Sequence, residues 1–166
     1  MGKGINLSFT KSLAEFDALL EEAIEAVTVK EVSVAHELEE TNLSKFQVGK
    51  YVYIGNDDEE EDDDEANVFW VGLGWEENEN REALIWLEFD ENTCPAECWD
   101  KIKELVGTSG KYYHKADSEF AQEFMNTWIH FFLKDEYLKK FYDEKVDINV
   151  QKEILTGFIN EVMDKI

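Results

Sequence analysis

The sequence predicts an α+β fold: one helix, an antiparallel meander of three to four strands, then three to four helices packing on the sheet. Three observations carry this. Strongly alternating apolar segments follow one another in the middle of the chain, segments with helical spacing sit at the two ends, and short polar turns join the strands. Consecutive strands joined by turns pair antiparallel, and helices grouped outside the strand region mark α+β rather than alternating α/β. The 166 residues fit one domain, here taken as 1–166.

Residues 12–27 form the first helix. Ser12 and Glu15 make a capping-box pattern, and Leu13, Phe16, Leu20, Ala23, Ile24 and Val27 recur at helical spacing. In residues 29–38, Val32, Val34, His36 and Leu38 alternate with polar or small residues, which favours a strand over a helical continuation. Residues 47–55 alternate clearly: Val48, Val52 and Ile54 on one side, Tyr51 and Tyr53 on the other. The strand at 67–76 places Phe69, Val71, Leu73 and Trp75 against Trp70, Gly72 and Gly74. The strand at 82–90 places Ala83, Ile85, Leu87 and Phe89 against Leu84, Trp86 and Glu88. Between the last two strands, ENEN at 77–80 is a turn.

Pro95 suits the first turn of a helix over 95–106, which Gly107 and Gly110 end. Residues 111–115 read as a short edge strand. Ser118 then caps a helix over 118–133, with Phe120, Phe124, Trp128 and Phe132 as an aromatic stripe. Residues 135–143 continue or restart it. A last helix, capped by Asn149, spans about 150–165 with Ile154, Phe158, Val162 and Ile166 on one face. The expected core is Leu13, Phe16, Leu20, Val52, Ile54, Phe69, Val71, Leu73, Ile85, Leu87 and Phe89, closed by the C-terminal helices.

Charge is the strongest functional signal. The net charge is −23, and residues 57–104 hold nineteen acids and three bases, net −16. Such a field repels phosphate backbones and anionic membranes, so direct nucleic-acid or membrane binding is not expected, while a basic protein partner is attracted. Residues 57–65 are nine consecutive acids. Like charges at that density repel one another and cannot pack, so a mobile acidic loop is expected there. As a calcium loop it fails, because Asp62 stands where the sharp turn needs glycine.

No chemistry-bearing motif is complete, so neither cofactor nor metal is expected. Cys94 and Cys98 have three residues between them, one too many for the redox motif, and no second ligand pair is suitably spaced for zinc. His36, His114 and His130 are scattered, and His130 lies in the apolar run TWIHFF, where an interior or boundary role is the plain reading. Glu88 and Asp90 share one side of a strand, as a general acid–base or metal-holding pair would. The lysine a nuclease needs two positions after Glu88 is replaced by Asp90, and the plain alternative is charge on a solvated sheet face. Residues 1–10 lack the apolar core of an export signal, and no apolar run reaches membrane-spanning length, so a cytoplasmic protein with reduced thiols is expected.

Three functions compete. The leading one is an acidic interaction protein, such as an inhibitor or immunity-type binder of a basic, nucleic-acid-binding protein. Its contact charges are Glu76, Glu77, Glu79, Glu82, Glu88 and Asp90, set at a tight turn and on adjoining strands. A small hydrolase or metal-dependent enzyme using the strand carboxylates is the second. A small-ligand module using the aromatic sheet face Tyr51, Tyr53, Trp70 and Trp86 is the third, and it competes with burial of that face under the C-terminal helices.

Overall fold

The computed structural model describes residues 2–7, 12–27, 32–37, 47–54, 69–77, 83–91, 96–114 and 128–166; along the first three strands, and at Ser12, Leu13, Ala83, Leu84, Glu88, Asp90 and Trp128, it describes the backbone. The chain mixes helix and strand, as the sequence predicts. Helix α1 spans Ser12–Glu25, and strands β1 to β4 span Val32–Glu37, Gln47–Ile54, Phe69–Glu77 and Ala83–Asp90. Helix α2 (Ala96–Leu105), β5 (Tyr113–His114) and β6 (Trp128–Leu133) follow. The short α3 (Asp135–Leu138) runs into a 3-10 turn at Lys139–Phe141, and α4 (Ile148–Asp164) closes the chain.

The strands form one sheet of six in the order β1-β2-β3-β4-β6-β5, with every pairing antiparallel. The sheet is therefore larger than the three or four strands expected from sequence. The added strand is β6. The segment Trp128–Leu133 was expected to end a helix over 118–133, and it is instead extended and paired with β4, Leu87 opposite Phe131 and Phe89 opposite Ile129. The physical reason lies in its burial. Ile129, Phe131 and Leu133 are all buried while His130 and Phe132 between them are not fully so, a period of two. A four-residue spacing such as Trp128 to Phe132 repeats on one face of a strand as well as of a helix, so that spacing does not separate the two. Residues 115–127, with Phe120 and Phe124, lie outside the described residues.

The core sits on one face of the sheet. Ile85, Leu87 and Phe89 of β4, Ile129, Phe131 and Leu133 of β6 and Tyr113 of β5 pack in a single cluster. It also takes Phe16, Leu20 and Ile24 of α1, Trp99 and Ile102 of α2, and Leu155, Phe158 and Val162 of α4. Phe131 meets both Phe89 and Tyr113 edge to face, with ring centroids 5.6 and 5.5 Å apart. Of the core expected from sequence, Phe16, Leu20, Ile85, Leu87 and Phe89 are buried; the side chains of Leu13 and of the β2 and β3 residues lie outside the description. Helix α4 packs against α1, where the Thr156 hydroxyl donates to the Ala23 carbonyl at 3.3 Å. Thus the last helix covers the core face, on the same side as α1.

Local chemistry sets the element ends. Asp147, not Asn149, caps α4: its carboxylate accepts from the Asn149 N–H at 2.8 Å. Beyond α2, Gly107 adopts a φ of 87°, the left-handed conformation that glycine enters without penalty. The N-terminal residues carry no sequence periodicity yet are built in. Ile5 and Leu7 are buried, and Gly4 and Leu7 donate to the carbonyls of Glu144 and Phe141. The fully buried Gln151 of α4 clamps this segment. Its Oε1 accepts from the Ile5 N–H at 2.8 Å, and its Nε2 donates to the carbonyls of Ile5 at 2.9 Å and Lys140 at 2.7 Å.

Candidate functional site

The second face of the sheet, opposite the described helices, is built by strand alternation. Register places Gly72 opposite both Tyr51 and Glu88, and Glu88 opposite His130. The next row runs Gly49, Gly74, Trp86, Phe132 and His114 across β2, β3, β4, β6 and β5. Beyond these, Tyr53 pairs with Trp70, Asp90 with Trp128, and Glu76 with Leu84. The four aromatic positions Tyr51, Tyr53, Trp70 and Trp86 therefore share this face with three of the six expected contact charges, Glu76, Glu88 and Asp90. Glu77 alternates to the other face at the end of β3, opposite Ala83, and Glu79 and Glu82 lie outside the described residues.

The side chains at the β4–β6–β5 side of this face form a contiguous row of rings. Trp86 meets His130 edge to face, with centroids 6.2 Å apart and planes at 83°. His130 and Phe132 lie nearly parallel at 5.8 Å, and Phe132 and His114 do so at 5.9 Å. His114, His130 and Phe132 are half-buried. Trp86 is only 5% exposed, so its ring is part of the wall rather than an open platform. Its indole N–H is buried and has no hydrogen-bond acceptor among the described residues. A buried donor left unmade costs about 1–3 kcal/mol, which marks Trp86 as a residue that requires an explanation.

All three histidines fall on this face, a grouping that their scattered sequence positions do not suggest. His36 reaches it through an irregularity in β1. Val34 pairs with Val52, but His36 pairs with Tyr51, so one extra residue moves His36 off the face of Val32 and Val34. Sequence alternation alone put His36 with the valines. His130 was expected on a helix and stands on β6 instead. Among the described residues, no three His, Cys, Asp or Glu side chains converge as a metal site.

Two other features bear on binding. The outward residues of α1 include Glu15, Glu21, Glu22 and Glu25, and the helix contains no basic residue. A half-open cleft of about 540 Å³ lies between α1 and the N-terminal segment. Its lining includes Glu15, Glu22 and Glu144 against the single ammonium of Lys3, which pairs with Glu144 at 3.2 Å. Cys98 is a free thiol on α2, partly buried against the core; Cys94 and the acidic block 57–65 lie outside the described residues. Among the described residues no helix is long and apolar enough to cross a membrane. No family model, curated protein or solved structure matches the chain.

Proposed function

We propose that this protein is a noncatalytic binding protein whose acidic middle engages a basic protein partner, in the manner of an inhibitor or immunity-type binder. One observation carries the reading: the positions of Glu76, Glu88 and Asp90 share a sheet face with those of Tyr51, Tyr53, Trp70 and Trp86, opposite the face that the described helices occupy. The strands β1 to β4 act here as a meander that presents this face, and the helices back it. Charges held on a paired strand lose little freedom on association, so more of their attraction survives as affinity. Aromatic rings among carboxylates favour cations, arginine above all, because guanidinium is both charged and flat. The free thiol of Cys98 suits a reducing, cytoplasmic setting.

A net charge of −16 over residues 57–104 steers a basic partner at long range, giving fast and salt-sensitive association. The turn charges Glu77, Glu79 and Glu82 belong to the same reading as the rim of the contact. The test starts with capture of a basic partner from the native host at low salt and its release at high salt. Reversing Glu77, Glu79 and Glu82 to Lys then lowers the association rate and flattens its salt dependence. An unchanged rate and salt slope in that triple variant removes the turn from the contact. An unchanged rate after Glu88→Lys with Asp90→Lys as well overturns the reading.

A further inference from the structure

We infer that the cleft between α1 and the N-terminal segment binds a linear aliphatic polyamine, with its methylene chain on an apolar floor and its end ammonium groups on Glu15 and Glu22. This site is separate from the sheet face. Its first support is the spacing along α1. Glu15, Ala18, Leu19 and Glu22 all line the cleft, three, four and seven residues on from the first of them. That spacing sets the four on one face of the helix, with a carboxylate at each end and apolar groups between. The helical rise separates the two acidic positions by about 10 Å. The opposite wall has an apolar part as well, made by Gly4, Ile5 and Ile148. The single ammonium in the lining, on Lys3, pairs with Glu144 at 3.2 Å. Neither Glu15 nor Glu22 is paired with a base among the described residues.

The charge pattern of α1 is the second support. Between Ser12 and Glu25 the helix carries Glu15, Asp17, Glu21, Glu22 and Glu25 and no basic residue. Asp17 and Glu21, and Glu21 and Glu25, are like charges one turn apart, which weaken a helix. Glu22 and Glu25 stand in the last turn, where the helix dipole disfavours negative charge. The fold has no use for these charges, because Phe16, Leu20, Ala23 and Ile24 already fix the helix in the core. A cation in the cleft offsets the repulsion, and an anion adds to it. The shape of the cleft selects the kind of cation. A metal ion needs several donors converging on one point, and among the described residues no three His, Cys, Asp or Glu side chains do so. Two separated carboxylates across apolar groups match a flexible chain with a charge at each end. The half-open cleft of about 540 Å³ admits such a chain and takes its methylene groups out of water.

The test titrates the full chain with spermidine at about 0.15 M salt, where exposed charges beyond about 8 Å are largely screened. The nuclear magnetic resonance signals of the Gly4 amide and of the Ala18, Leu19 and Ile148 methyl groups shift saturably. Octamethylenediamine, of similar length, shifts the same groups. Putrescine, too short to reach both carboxylates, binds about tenfold more weakly. Glu15→Gln with Glu22→Gln weakens spermidine binding about tenfold. Glu97→Gln with Glu104→Gln makes the same charge change at the same spacing on exposed positions of α2 and alters binding less than about twofold. Ala18 is exposed, so Ala18→Lys folds, and it abolishes the shifts by placing an ammonium of its own in the cleft. No saturable shift at these groups, equal affinity for putrescine, equal weakening by the two Glu→Gln pairs, or unaltered binding in Ala18→Lys overturns the inference. So does a shift produced by acetyl-Lys-Gly-Lys amide and not by spermidine, which would assign the cleft to a protein segment.

Discussion

Along β4 and β6 the chain presents Ile85, Leu87, Phe89, Ile129, Phe131 and Leu133 to one face, all buried, and sets Trp86, Glu88, His130 and Phe132 at the intervening positions. The first set is aliphatic or phenyl and meets three helices in one cluster. The second set mixes rings, a carboxylate position and a histidine, and it adjoins glycines on β3. A core needs shape and hydrophobicity and makes no use of polar atoms. The second face keeps polar atoms in its rings and a buried donor without an acceptor among the described residues, which stability alone does not favour. The two faces therefore differ in what they carry: one holds the apolar side chains that close the fold, and the other mixes rings with polar and charged positions.

The core face does not tolerate truncation. Phe131→Ala removes a fully buried ring that touches Phe89 and Tyr113, and it costs about 3–5 kcal/mol in denaturant unfolding. Leu87→Ala, on the same face, costs about 2–5 kcal/mol. A loss below that range at both positions would mean that β4 and β6 are not packed as described.

The N-terminal clamp sharpens the contrast, because it is a buried polar site whose bonds are made. Gln151→Ala strands the Ile5 N–H and two carbonyls and costs about 1–3 kcal/mol. Gly4→Ala drives a methyl group into the Val146 carbonyl and costs a similar amount, about 1–3 kcal/mol. Both are read from chemical unfolding. Protection of the Ile5 amide from hydrogen exchange falls in each variant.

At Trp86 the expected effect is the smallest among the buried positions. Trp86→Phe removes the donor but leaves a small cavity at a buried position, so the two effects offset and stability changes by about 1 kcal/mol or less in either direction. A loss of about 2 kcal/mol or more would show that the N–H is satisfied within the chain. Least of all, removing residues 57–65 leaves the melting temperature unchanged or raises it, since nine adjacent acids repel one another. A large drop would mean that the block holds an ion or a basic surface.

Helices α1, α2 and α4 and strand β4 were legible because each repeats its apolar residues at the period of its own element, over ten residues or more in the helices. Strand β6 was not, since six residues with apolar or aromatic side chains at nearly every position fit either period. The N-terminal segment was missed for another reason. Its order comes from Gln151 and the carbonyls near residue 141–144, which are remote in sequence and leave no local pattern. Of the site, the glycines, rings and acids could each be read as strand residues, but not the displacement of His36, which depends on one irregular pair in β1.

By itself, the sequence determined the charge field, the acid-rich middle, and the local periods that make α1, β4 and α4 amphipathic, because these depend only on residue identity and near spacing. Tertiary structure decided which residues stand together on the second face. Glu88 stands opposite His130 and Phe132 opposite His114 because β6 inserts between β4 and β5. That placement follows from burying Ile129, Phe131 and Leu133 against the helices, a choice made by long-range packing rather than by the propensity of six residues.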